Sequence, residues 1–153
     1  MTDLLNVDEA TTRVLQEFKR LPSENIPLTM ALGRWLAEDI IASHNLPPFA
    51  NSGVDGYALH AADSREGTEV SLKVVDDILA GSVPSRAVFP GEAARIMTGA
   101  AIPKGADAIV PVEDTSSNWL SNRDAEIPPN ITISRALSPG ENIRPAGESV
   151  RQG

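Results

Sequence analysis

Residues 47–59 read PPFANSGVDGYAL, and they hold the first residue whose type and setting can do chemistry. Asp55 lies two residues after Gly53 and directly before Gly56. A carboxylate held forward by a glycine-flanked turn can bind Mg2+ or position a water. The pair also has a plainer use. Asp-Gly is a common turn dipeptide, because glycine tolerates positive φ and aspartate caps its own turn. Taken alone, such a stretch is more often a turn than a catalytic loop.

A second stretch, ARIMTGAAIPKGADAIV, carries a strand-like run from Ala94 to Met97 into Thr98-Gly99-Ala100. Glycine beside a hydroxyl residue at a strand end permits close approach of a ligand. The stretch is not a Walker A loop, since the Gly-Lys-Ser/Thr run is absent. A turn between two buried strands accounts for it locally. A third stretch, GENIRPAGES, offers Arg144, which can clamp a phosphate or a carboxylate. An exposed arginine on a surface loop is the commoner outcome. Asp76-Asp77 and Glu113-Asp114 are acidic pairs. Neighbours in a strand point to opposite faces, so neither pair chelates a metal by itself. Ser52 has no nearby histidine, and NSGVDG is not the G-x-S-x-G nucleophile elbow.

The whole chain limits the possible functions. Its 153 residues suffice for one ordinary domain or two small ones. Hydrophobic residues make up 41% but aromatics only 4%, so a core must rest on Val, Ile, Leu and Ala. Twelve prolines and eleven glycines favour many turns and short elements over a helical bundle. Net charge is −8 and the basic residues are scattered singly, which argues against nucleic acid and against an anionic membrane surface as partners. There is no cysteine, so disulfides and thiolate metal sites are excluded. His44 and His60 are the only histidines, too few for a zinc site with three histidine ligands. The acidic, amphipathic start MTDLLNVDEATTRVL lacks the basic and apolar regions of a signal peptide. No stretch approaches the ~18 continuous apolar residues of a membrane span. A soluble, cytoplasmic protein is expected.

Asn6 and Glu9 have capping-box spacing, and Val7, Ala10, Val14 and Phe18 share one face of a predicted helix, with Leu15 beside them. That helix should stop near Arg20, ahead of Pro22. Thr29 is a candidate N-cap for a short helix through about Leu36, and Ile40-Ile41 suggest a strand leaving it. Trp35 is expected in a core. From residue 45 the texture changes to short β-type runs: GYAL, EVSLKVVDDIL, AARIMTG, DAIVPVED and ITISRAL. Turn signals separate them, which predicts a mostly β unit. SSNWLSNRDAEIPPN should form a hairpin tip or a long loop. SPGENIRPAGESVRQG closes no element and resembles a chain cut at a domain boundary.

Four segments in order, PPFANSGVDGYAL, ILAGSVP, PGEAARIMTGAAIPKGADAIVPVE and GENIRPAGE, resemble the N-terminal half of the molybdopterin molybdenumtransferase family. Bacterial MoeA and the gephyrin E domain belong to it. The resemblance covers nearly the whole chain. It implies an α+β, mainly β fold, with a small split helical and strand domain and an inserted compact β domain. Residues 1–45 and 139–153 would form the split, dimerising domain, and residues 46–138 the inserted one. A molybdopterin-binding α/β domain and a small β-barrel domain would follow.

The resemblance also implies a reaction, insertion of molybdate into adenylylated molybdopterin with Mg2+ and release of AMP. Molybdopterin adenylyltransferase would act upstream. The family's homodimers place the active cleft between the inserted domain of one subunit and the α/β domain of the other. By motif, Asp55 and Thr98 take the catalytic positions, and Asp55 is also the implied Mg2+ ligand. Ser52, Gly99, Arg144 and Glu148 are the implied substrate-binding residues. The chain departs from the family pattern at Ser149, where a third carboxylate is usual, and Glu148 stands next to it. Ala50 likewise replaces a common aspartate. The substrates are anionic and the chain is acidic. It would therefore supply carboxylates, and the further α/β domain most of the phosphate donors. Alone, the chain should be inactive. The alternative is a non-catalytic scaffold of the gephyrin type. A standalone hydrolase using Asp55 and Thr98 would lack a paired His or Lys base.

Overall fold

The computed structural model describes residues 5–117 and 126–153. It divides into two units, Met1–Ile40 and Ile41–Gly153. Most of the expected hairpin tip or loop at 116–130 lies outside the described residues.

In the first unit, α1 spans Val7–Gln16. The extended Asn6 accepts the Glu9 backbone N–H on its Oδ1 at 2.8 Å, which is the expected cap. Asp8 and Glu9 open the helix and Arg13 closes it, in the sense its dipole favours. Glu9 and Arg13 also form an exposed pair at 2.9 Å. The helix ends four residues short of Arg20. Glu17 and Phe18 donate to Val14 and Leu15, three residues back, and this tightened turn ends the α-helical ladder before Pro22 can. Asn6→Ala should cost α1 about 1 kcal/mol, read as lost helical circular dichroism on warming.

The rest of this unit corrects the sequence reading. A single 3-10 turn, Leu28–Met30, replaces the helix expected from Thr29 to Leu36. Gly33 at φ +80° takes the chain out of helical space there. Ile40-Ile41 form no strand. Trp35 is not in a core but 97% exposed. The described residues of this unit form one short α-helix and one 3-10 turn, too little to enclose a side chain of that size.

The second unit holds the strands. They are β1 (Asn51–Ser52), β2 (Gly56–Leu59), β3 (Val70–Ile78), β4 (Glu92–Ile96), β5 (Ala108–Pro111), β6 (Asn130–Ile133) and β7 (Ile143–Arg144). Five form one sheet in the order β5-β2-β4-β3-β6, and β1 pairs with β7. All pairings are antiparallel except β3 with β4. The segment following β5 then reaches β6, the strand at the other edge. Thr115 bridges Ile133, and the Ser116 N–H donates to the Thr132 carbonyl at 2.9 Å. The sheet is thus curled on itself, which satisfies its edges.

Side chains alternate across this curled sheet. Tyr57, Leu59, Leu72, Ala93, Ala108, Val110, Ile131 and Ile133 fill one face. Ala58, Ile78, Val88, Ala94, Ile96 and Ile109 pack on the other. With both faces covered, the strands read as continuous apolar runs, as GYAL and AIVP do. A bulge between Val74 and Asp76 shifts the alternation of β3 and sets Asp77 opposite Arg95. Arg95 donates to both Asp77 carboxylate oxygens at 2.6 Å. Bonding to Asp77 raises the Arg95 guanidinium above its ordinary value, against the burial that lowers it. Asp76 instead accepts the backbone N–H groups of Asp77 and Ser85. The two neighbours therefore serve different partners. Glu113-Asp114 lie in a 3-10 turn, Val112–Asp114, and not in a strand. Asp114 pairs with Arg135 at 2.8 Å.

Candidate functional site

Strand β1 lies between two loops. On one side, the Ser52 N–H donates to the Ala100 carbonyl at 3.0 Å, and the Gly99 N–H to the Ser52 carbonyl at 2.9 Å. On the other, Asn51 and Ser52 pair with Arg144 and Ile143, and the Gly53 N–H donates to the Asn142 carbonyl at 2.8 Å. The three sequence stretches singled out for chemistry thus meet along one short strand.

The Thr98 loop is a turn closed by the Ala100 N–H on the Met97 carbonyl at 3.0 Å. Gly99 occupies its third position at φ +82°, which a type II turn reserves for glycine. No atom lies within 4 Å of where a Gly99 Cβ would stand, so that side of the turn is open. Thr98 is exposed, and it donates to Asp55 Oδ1 twice: from its backbone N–H at 2.7 Å and from its hydroxyl at 2.6 Å. The Asp55 carbonyl accepts the Val112 N–H at 3.1 Å. Backbone and carboxylate of Asp55 are therefore both anchored. Charge-assisted bonds of this length are the strong ones, and they fix where the negative charge sits.

Gly56 does not do what the sequence suggests. It is not in the left-handed region; it opens β2 between β4 and β5. A Cβ there would stand 2.0 Å from the Val110 carbonyl oxygen. The Asp-Gly pair is thus a carboxylate at the lip of a strand, with the glycine required by close approach of the next backbone.

The other sequence-predicted residues take distinct places. Ser52 is fully buried, and its hydroxyl bonds the backbone of Val54. Arg144 and Glu148 are exposed and pair at 2.8 Å. Ser149 is exposed too, and its N–H donates to the Leu46 carbonyl.

Two residues were missed. Asn142 is the one described non-glycine residue at positive φ, at 59°. Its side chain donates to the Ile109 carbonyl at 2.9 Å while its own carbonyl holds Gly53. Asparagine following Pro-Gly-Glu was a readable signal, since it tolerates the left-handed region. Asn51 is 6% exposed, and its Oδ1 is buried without a hydrogen-bond partner. Nothing in its local sequence flagged it.

Among the described residues, no group of three or more His, Cys, Asp or Glu is arranged to hold a metal. Asp55 fits a cation that needs only one carboxylate from this chain. Mg2+ is such a cation, since it commonly takes one or two carboxylates and completes its shell with water and substrate phosphates.

A family model described as the MoeA N-terminal region (domain I and II) matches residues 5–153. The chain belongs to this MoeA family. A molybdopterin molybdenumtransferase of Bacillus subtilis is 39% identical over 150 residues, covering 96% of this chain and 34% of the relative. One from Staphylococcus aureus is 38% identical with the same coverage. The crystal structure of a molybdopterin biosynthesis MoeA protein from Pyrococcus horikoshii OT3 superposes with a TM-score of 0.78 at 35% identity, over 99% of this chain and 38% of that one. The chain thus spans about a third of the length of the curated relatives it matches. Among the described residues, no helix is long and apolar enough to cross a membrane.

Proposed function

We propose that this chain is the domain I and II portion of a cytoplasmic molybdopterin molybdenumtransferase, which inserts molybdate into adenylylated molybdopterin and releases AMP. The double hydrogen bond from Thr98 to Asp55 carries the reading. Asp55 is not capping its own turn: its carboxylate is bonded to a second loop 43 positions away, at the exposed Thr98. The chain's own residues do three things in this scheme. Thr98 holds Asp55 at one oxygen, so the charge stays aimed without reorganising when substrate arrives. Gly99 leaves room for close approach on the open side of its turn. Arg144, braced by Glu148, meets an anionic group of the substrate. Mg2+, held by Asp55 and substrate phosphates, would neutralise charge on the diphosphate.

The domain assignment goes with this reading. Residues 1–45 and 139–153 form domain I and residues 46–138 domain II. The family homodimer assembles in part through domain I, and the exposure of Val7, Val14 and Leu15 along α1 and of Phe18 just beyond it supports that. An adenylylated substrate requires an adenylyltransferase to act first. The cleft is completed by an α/β domain of the partner subunit, so this chain alone lacks half of the site. Incubated with adenylylated molybdopterin, molybdate and Mg2+, the 153-residue chain should release no AMP. Clear turnover from it would overturn the composite-site reading.

A further inference from the structure

We propose that Ser52 is a positioning residue for the Asp55–Thr98 pair and not a contact for substrate. Its importance rests on the reading of Asp55 given above, but its geometry does not. Ser52 is 0% exposed, so no ligand atom reaches its hydroxyl while the turn is closed. That hydroxyl is already engaged. It donates to the Val54 carbonyl and accepts from the Val54 N–H at 3.3 Å, clasping the residue just before Asp55. A serine bonded to its own backbone two residues on sets a local turn that the strand ladder cannot.

The main chain of the same residue reaches the other way. Its N–H and carbonyl hold Ala100 and Gly99, and so the turn that presents Thr98. One buried residue therefore sets both halves of the pair. Its side chain fixes the approach to Asp55, and its backbone fixes the approach to Thr98. The strand pairing survives loss of the hydroxyl, because it uses only backbone atoms. The turn through Val54 does not keep its clasp.

The test is Ser52→Ala in this chain, read by amide hydrogen exchange and the Thr98 amide proton shift in nitrogen-15 spectra. Exchange at Thr98 should speed up about tenfold, as a local opening that spares the rest of the unit. Its proton should move upfield as the charged acceptor drifts away. Amides in β2 and β4 should keep their protection. Unchanged Thr98 exchange would overturn the proposal. So would equal loss of protection across β2 and β4, or a chain that fails to fold, because the hydroxyl would then be holding the sheet. The readout uses no substrate. Thr98 freed by Ser52→Ala, alongside a full-length enzyme that tolerates loss of the Asp55 charge, would keep the positioning role and remove the catalytic one.

Discussion

Asp55→Asn, placed in the full-length enzyme, should lower AMP release by about a hundredfold or more while the isolated chain stays folded. The substitution is close to isosteric. An asparagine Oδ1 can still accept from the Thr98 N–H and hydroxyl, which reach Asp55 at 2.7 and 2.6 Å. What disappears is the charge. Hydrogen bonds to an ionised acceptor are roughly twice as strong as neutral ones, so stability should fall by about 1 kcal/mol. A thermal melt of the isolated chain checks that half, and single-turnover release of AMP checks the other. A chain that unfolds would mean that the carboxylate merely closes a turn. A folded, fully active enzyme would remove Asp55 from the chemistry.

Gly56→Ala should do the reverse, destroying the fold where Asp55→Asn spares it. The added methyl would stand 2.0 Å from the Val110 carbonyl oxygen and 2.9 Å from its carbon. These are backbone atoms of the adjoining strand, so no rotamer change relieves the contact. β2 is the second strand of the sheet and is hydrogen-bonded to both β5 and β4. Relief requires parting β2 from β5, whose register runs from Gly56 opposite Pro111 to Leu59 opposite Ala108. A loss of about 3 kcal/mol or more is expected, at the upper end of overpacking costs. Urea denaturation of the isolated chain measures it. A variant with unchanged midpoint would show that the two strands can part without cost.

These two neighbours mark how far the sequence could be read. The β runs were legible because the curled sheet buries both faces, and continuous apolar stretches between Gly and Pro signals have few other uses. β2, β3 and β5 fall within their expected runs, and β4 and β6 begin one residue before theirs, at Glu92 and Asn130. The first unit was less legible. Capping chemistry is local, so Asn6 and α1 were found. Trp35 and Leu36 stay exposed among the described residues, and periodicity cannot say whether a face is covered. At the site, Asp55 and Thr98 were singled out separately, by type and by neighbouring glycine. Their mutual contact across 43 positions was not readable. Nor was the purpose of Gly56, because a glycine that avoids a distant carbonyl looks the same in sequence as one that permits a turn. Ser52 holds the Thr98 turn through its own backbone, which leaves no trace in composition, whereas Asn142 after Pro-Gly-Glu could have been read as a left-handed position.

Leu46 and Pro47 run beside residues 147–150, joined by the Leu46 N–H on the Val150 carbonyl at 2.8 Å and the Gly147 N–H on the Pro47 carbonyl at 2.9 Å. Gln152 then reaches the Asn45 side chain at 2.9 Å, and Gly153 the Ala42 carbonyl at 3.2 Å. The curled sheet is therefore slung from a two-ply stalk, with incoming and outgoing chain fastened together. A body attached in this way can be transplanted. Spliced into a surface turn of an unrelated host, it would separate the host's chain by little more than one strand spacing, about 5 Å. Tension on the two ends would peel the stalk one bond at a time before it reached any strand of the sheet. The β1–β7 pair, and with it the loops that hold Asp55 and Thr98, would feel the pull next, ahead of the five-stranded sheet.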